Sequence, residues 1–196
     1  MIINIIGGLG SGKTLTAVKS SIEDFDNKIK IFCNFNIEIP HEKISFQELK
    51  DNDIRTEEGK QYWLNKFSGI DLAIYIDEAT NWLDARTSMS KNNQIVTAWL
   101  SQIRKMLGSS ETSHLYLISQ LKKQLDVRSR DLTHITIRCG KKIKGKFKFK
   151  EKGKLIIQDK IIITNIFYLH EMNKVIKTNF IGNPYFNYFD THEIIN

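Results

Sequence analysis

Short apolar runs alternate with amphipathic stretches along the first two thirds of the chain. Residues 2–6, 29–34, 72–76, 115–119 and 134–139 are compact runs rich in β-branched and aromatic side chains. Runs of this length and composition predict buried strands. Between them, residues 12–22, 56–66 and 94–107 carry helical periodicity. In the last of these, Ile95, Ala98, Trp99, Ile103 and Met106 fall close to one face, a stripe suited to packing on a sheet. Strand and helix in alternation predict an α/β fold with a doubly wound, mostly parallel sheet.

After Arg138 the pattern changes from helix-and-strand to strand alone. Lys144-Gly145-Lys146-Phe147-Lys148-Phe149-Lys150 alternates strictly, which places four lysines on one face of a strand and Gly145, Phe147 and Phe149 on the other. A turn at Gly153 leads into Leu155-Ile156-Ile157, so a C-terminal β-hairpin extension is expected, with more β-rich sequence over 161–168 and 174–180. Two prolines and no Ser/Gly-rich linker argue for a single domain, with a core over residues 1–140 and a basic extension over 141–196. The aromatic tail around Phe186, Tyr188 and Phe189 is expected to pack on that core.

Charge sharpens this division. The chain of 196 residues carries a formal net charge of +7, and residues 138–160 hold ten Lys/Arg against two acids, a net of +8. Focused positive charge of this kind points to a polyanionic partner. An apolar fraction of 41% with 26% charged residues is that of a globular chain and excludes a disordered one. No apolar run reaches membrane-spanning length, and no basic segment precedes the first run, so neither a transmembrane segment nor a leader is expected. The isolated Cys33 and Cys139 suit a reduced, cytoplasmic protein, and the five histidines show no metal-binding spacing.

Candidate chemistry begins directly after the first strand. Residues 7–14 read Gly-Gly-Leu-Gly-Ser-Gly-Lys-Thr, a full G-x-x-x-x-G-K-[ST] phosphate loop between a predicted strand and a predicted helix. A tight glycine-rich turn aims successive N–H groups and the positive end of a helix at one phosphate chain. Gly8, Leu9, Gly10, Ser11, Gly12, Lys13, Thr14 and Thr16 are therefore the candidate nucleotide contacts. Lys13 is expected at the β- and γ-phosphates of ATP, and the Thr14 hydroxyl on Mg²⁺.

The second element, Leu72-Ala73-Ile74-Tyr75-Ile76-Asp77-Glu78, ends an apolar strand in two acids. Asp77 is the candidate Mg²⁺ residue, and Glu78 the candidate general base for the lytic water. The third, His114-Leu115-Tyr116-Leu117-Ile118-Ser119-Gln120, delivers a strand-end amide, Gln120, that could sense the γ-phosphate and orient water.

In order, GGLGSGKT, IYIDEATNWLDARTSMS, AWLSQIRKMLGSSETSHLYLISQ and LDVRSRDLTH resemble the FtsK–HerA branch of P-loop ATPases. Within that branch the likeness is to zonula occludens toxin-like proteins and small viral genome-packaging ATPases. The resemblance spans roughly residues 1–140. It implies a RecA-like (ASCE) sheet, a homo-oligomeric ring with nucleotide at subunit boundaries, and ATP-driven movement of double-stranded DNA without sequence preference. A capsid, portal or membrane partner follows from the same resemblance. A ring motor also needs a cation reaching the γ-phosphate, and arginine suits that task because its planar fork stays charged. Arg104 ranks first, since it precedes the Gln120 strand as an arginine does in related packaging ATPases; Arg86 and Arg128 follow, and a surface salt bridge is the plainer role for each.

Lys144, Lys146, Lys148 and Lys150 are the candidate nucleic-acid contacts, able to follow a phosphate backbone without reading bases. Lysines along a strand also blunt an exposed edge against aggregation, and both readings stay open here. Three functional classes follow: a DNA-packaging or translocating motor, a zonula occludens toxin-like phage assembly ATPase, and a small-molecule kinase or nucleotide switch. The last fits least well. Asn65-Lys66-Phe67-Ser68 and Asn173-Lys174-Val175-Ile176 lack the aspartate of a guanine-reading Asn-Lys-x-Asp motif.

Overall fold

The computed structural model describes residues 1–84, 86, 89–107, 112–151 and 154–189, excepting the side chains at 104, 106, 122 and 151. Its first half runs β1 (Ile2–Ile6), α1 (Lys13–Asp26), β2 (Lys30–Cys33), β3 (Glu42–Lys43), α2 (Phe46–Asp51), α3 (Glu57–Phe67) and β4 (Leu72–Ile76). Then follow α4 (Lys91–Leu107), β5 (His114–Ser119), α5 (Val127–Asp131), β6 (Ile135–Glu151), β7 (Lys154–Leu169) and β8 (Lys174–Ile181). The described strands form an eight-stranded sheet in the order β3-β2-β4-β5-β1-β6-β7-β8. Pairing is parallel from β3 to β6, and β7 and β8 then add antiparallel.

Helix starts follow from local capping. Ser45 accepts from the Glu48 N–H at 3.1 Å and Thr56 from the Gly59 N–H at 3.0 Å, so each supplies one of the acceptors a helix start lacks. α4 begins at Lys91 rather than the expected residue 94, because the Ser90 hydroxyl accepts from the Asn93 N–H at 3.2 Å. Its buried stripe is also wider than expected, adding Val96, Leu100 and Leu107 to Ile95, Trp99 and Ile103. The side chain of Met106 lies outside the described residues.

Two cores sandwich the parallel strands. On one face α3 and α4 bury Trp63 and Trp99, with ring centroids 5.6 Å apart, against Ile2, Ile74 and Leu115. On the other, α1 packs Ala17 and Val18 against Ile5, Ile31, Ile118 and Ile137. α1 is thereby fixed under β1, which sets where its N-terminus points.

One acid is enclosed beneath α1. The Tyr75 hydroxyl donates to Asp24 at 2.5 Å, and the Tyr75 and Tyr116 rings stack with centroids 4.3 Å apart. Burial pushes the Asp24 carboxyl up to about 6, partly opposed by the Tyr75 hydrogen bond. A carboxyl that binds its proton more tightly folded than unfolded makes the native state lose stability as pH rises from about 4 to about 6. Asp24→Asn keeps an acceptor for Tyr75 and removes the charge. It is expected to gain about 1–2 kcal/mol at pH 8, allowing for partial screening, and to gain little at pH 4. Thermal melts at the two pH values check this; an equal gain at both would contradict it.

The β-hairpin extension is longer than its sequence suggested. β6 runs unbroken from the parallel core through residues 140 and 141, and pairs with β7 from Ile135↔Leu169 to Glu151↔Lys154. β1 leaves β6 at Arg138, and β8 reaches only Ile162, so residues 143–151 and 154–161 form a two-stranded ribbon. From residue 143 to 151 that is roughly 26 Å at 3.3 Å per residue. Since β6 is parallel to β1, the ribbon leaves from the same sheet edge as the phosphate loop. The expected turn at Gly153 lies outside the described residues.

The register corrects the four-lysine face. A bulge between Ile143 and Lys146 sets two residues of β6 against one of β7, with Gly145 at φ +75°. Only a residue without a Cβ adopts that angle freely, so the glycine that seemed part of the alternation is what interrupts it. Ile143 and Lys146 therefore share a face, and Lys144 falls out of phase with Lys146, Lys148 and Lys150. Lys146 is moreover held by Asp159 at 2.7 Å.

Candidate functional site

The site is built where three neighbouring strands end. β5 lies between β1 and β4, so the Gln120 strand separates the phosphate-loop strand from the acid strand. The Gly7 N–H donates to the Gln120 carbonyl at 3.2 Å, tying the loop's first residue to that neighbour. The loop then turns into α1 through Gly12 at φ +93°. A Cβ there would lie 2.4 Å from the Ile163 side chain, so the position admits only glycine without rearrangement.

Past Gly12 the side chains take up complementary positions. Lys13 is 92% buried, and its Nζ donates to the Gly8 carbonyl at 3.3 Å across the loop. The Thr14 hydroxyl donates to Asp77 Oδ2 at 3.1 Å, which joins the loop to the end of β4. A pocket of about 370 Å³ opens over this junction, lined by residues 9–15 together with Phe35, Asp77, Glu78, Lys141, Phe186 and Phe189. The predicted loop, metal residue and base are thus brought to one cavity.

The two acids differ in environment. Asp77 is buried, and desolvation raises its pKa above the ordinary carboxylate range. The Glu78 N–H at 2.8 Å, the Thr14 hydroxyl and the Lys13 charge oppose that rise, while repulsion from Glu78 adds to it. Glu78 is half-buried and sits in the left-handed region at φ 48°, ψ 45°. A non-glycine residue there stores about 1 kcal/mol or more of backbone strain, a cost met at functional sites that need one particular side-chain direction.

Asn34 holds that turn, and sequence reasoning missed it. Its Oδ1 accepts from the Asp77 N–H at 2.7 Å, and its Nδ2 donates to the Asp77 carbonyl at 2.9 Å. The only signal was a polar residue closing an apolar run; that β2 neighbours β4 is not written locally. Lys141, Phe35, Phe186 and Phe189 were missed for the same reason. The C-terminal segment crosses the mouth of the pocket to the loop after β2, where the Glu38 N–H donates to the Tyr188 carbonyl at 2.9 Å and Phe189 bridges to Ile37.

Other sequence candidates lie elsewhere. Thr16 is a correction: the residue is 98% buried, and its hydroxyl lies 3.0 Å from the Gly12 carbonyl and 3.1 Å from Asn165 Oδ1, facing the sheet and not the pocket. The backbone of Gln120 touches the loop, yet its exposed side chain lines a second cleft with Gly7, Gly8, Arg138 and His170. Arg86 is fully at the surface and pairs with Asp84 at 2.8 Å. Arg128 is exposed on α5, away from the phosphate loop pocket. The side chain of Arg104 lies outside the described residues.

The donor set fits a hard cation. A carboxylate and a hydroxyl 3.1 Å apart offer oxygen ligands of the kind Mg²⁺ prefers. Among the described residues no cluster of three or more His, Cys, Asp or Glu side chains could hold an ion alone. Phosphate oxygens and water would therefore supply the remaining ligands.

Loop, strand order and acid pair together define the fold of a P-loop NTPase. No family model and no curated protein matches the chain. Solved structures do. The fold is similar to that of the N-terminal domain of zonular occludens toxin from Neisseria meningitidis, with a TM-score of 0.58 and 20% identity over 96% of this chain and 98% of that one. It is also similar to the genome packaging NTPase B204 of Sulfolobus turreted icosahedral virus 2, solved with ATP-gammaS, at TM-score 0.52 and 15% identity, covering 90% and 95% of the two chains. The ATPase domain of G40P matches at TM-score 0.50 and 13% identity over 97% and 84%. At such identities the likeness establishes the fold. Among the described residues no helix is long and apolar enough to cross a membrane.

Proposed function

We propose that the chain is an ATP-hydrolysing motor that packages or translocates double-stranded DNA as a homo-oligomeric ring. The observation that carries the hydrolytic part is the Thr14–Asp77 hydrogen bond, with Glu78 in the same pocket. In this reading the phosphate-loop N–H groups and Lys13 bind the triphosphate, while Thr14 and Asp77 hold Mg²⁺, which offsets charge on the phosphates. Glu78 accepts the proton of the attacking water, and Asn34 fixes the backbone that aims it. The basic extension and the likeness to B204, itself described as a DNA-packaging ATPase, support DNA as the polymer moved. Neither Arg86 nor Arg128 reaches the phosphate loop pocket of its own chain, which suits an arginine supplied by a neighbouring subunit.

A second reading is a phage assembly ATPase of the zonula occludens toxin type, favoured by near-complete mutual coverage with that toxin's N-terminal domain. Both readings share the hydrolytic site and differ in the work done. Displacement of a labelled third strand from a DNA triplex, with sizing in ATP, separates them. A packaging motor displaces the strand only with hydrolysable ATP and elutes as a ring. An intact ring that hydrolyses ATP but displaces nothing would favour the second reading.

A further inference from the structure

The antiparallel end of the sheet carries a surface that the hydrolytic site does not use. β6, β7 and β8 have two unlike faces. Toward α1, Ile137, Cys139, Ile163 and Asn165 are buried. The registers Arg138↔Ile166↔Lys177, Gly140↔Thr164↔Asn179 and Lys142↔Ile162↔Ile181 define the other face. There Arg138, Lys142, Lys177 and Asn179 are exposed, and Thr164 and Ile166 only half-buried, so the face stands open. Lys160 is the next residue of β7 on this side, and the bulge at Gly145 turns Lys144 toward it as well.

From the level of Arg138 to that of Lys160, its described charges are of one sign. No acid stands among the described side chains on this face; Asp159 lies on the opposite one, paired with Lys146. The basic groups spread roughly 10 Å across the strands and, from the level of Lys177 to that of Lys160, roughly 20 Å along them. At one end the face opens into a cleft of about 390 Å³ where Arg138, Tyr168 and His170 meet Gly7, Gly8 and Gln120. A polyanion lying here would therefore border the first residues of the phosphate loop.

We infer that this open face of β6–β8 holds the phosphate backbone of nucleic acid, with Lys142, Lys160 and Lys177 as its contacts. The inference rests on the DNA-handling reading above and replaces the single lysine stripe that the bulge divides. Charge complementarity selects the occupant, since a face whose described charges are all cations attracts an acidic backbone. The exposed Asn179 side chain, whose Oδ1 accepts from the Thr164 hydroxyl at 2.6 Å, turns its amide N–H groups to phosphate oxygens without base readout.

The test compares two triple variants of the full chain. Lys142→Gln/Lys160→Gln/Lys177→Gln neutralises the open face; Lys146→Gln/Lys148→Gln/Lys150→Gln neutralises the other side of the ribbon. Binding of a fluorescent DNA duplex is measured between 50 and 200 mM salt, with DNA-free ATP turnover and thermal melting as controls for folding. The first triple is expected to weaken binding roughly 10- to 100-fold near 0.1 M salt and to lower the log–log salt slope by about 2–3. DNA-free turnover stays unchanged, and the second triple keeps most of its affinity. Unaltered affinity in the first triple, or equal losses in both, would overturn the inference while leaving DNA binding in place. Full DNA affinity with loss of self-assembly would instead make the face a contact between copies. If the unaltered protein binds no duplex at all, the DNA-handling reading itself fails.

Discussion

Glu78→Gln is expected to keep ATP bound while its hydrolysis slows by roughly 100- to 10,000-fold, the range of a positioned general base. The substitution conserves size and hydrogen-bonding reach, so the left-handed turn at φ 48° and the Asn34 clamp on Asp77 should persist. What it removes is a carboxylate beside the Asp77–Thr14 pair. Asp77 cannot take over as base, because it is buried and already engaged by the Glu78 N–H and the Thr14 hydroxyl. Calorimetric titration with ATP, paired with single-turnover phosphate release, separates binding from chemistry. Turnover within threefold of the unaltered protein would remove Glu78 from this role.

Lys13→Ala should act on both steps at once. Lys13 is 92% buried as a residue, with the Gly8 carbonyl at 3.3 Å as the only protein acceptor of its ammonium among the described contacts. Losing a charge-assisted hydrogen bond to phosphate removes about 1.5–3 kcal/mol, which weakens ATP binding roughly 10- to 100-fold. Turnover should fall below detection, since the same cation also offsets charge arising on the γ-oxygens. Gly8 is exposed, so its carbonyl can turn to water and the melting temperature should hold. The contrast is diagnostic: one variant binds without hydrolysing, the other does neither well.

What the sequence revealed, and what it hid, divides by the range of the interaction involved. β1 and β4 have the bounds their apolar runs predict, Ile2–Ile6 and Leu72–Ile76, because a buried strand's ends are set by its own composition. The loop and the two strand-end acids were legible for the same local reason. The face presented by Thr16 was not, since it depends on β6 and β7 lying over α1 and placing Asn165 within 3.1 Å. Nor was Asn34, whose role exists only because β2 pairs with β4. The lysine alternation misled because strict period-2 sequence implies one face only while the ladder is regular, and Gly145 breaks it. The C-terminal aromatics were expected on the core; that Phe186 and Phe189 wall the phosphate-loop pocket follows from a crossing of the chain that no local pattern encodes.

The coupling of chemistry to polymer is the claim on which the rest turns, and steady-state phosphate release with and without duplex DNA addresses it most directly. Such coupling predicts slow, Mg²⁺-dependent release from the protein alone and a several-fold higher rate when duplex is added, with both rates lost in Glu78→Gln. A rate indifferent to DNA at saturating duplex, from a protein that stays monomeric in ATP, would contradict it.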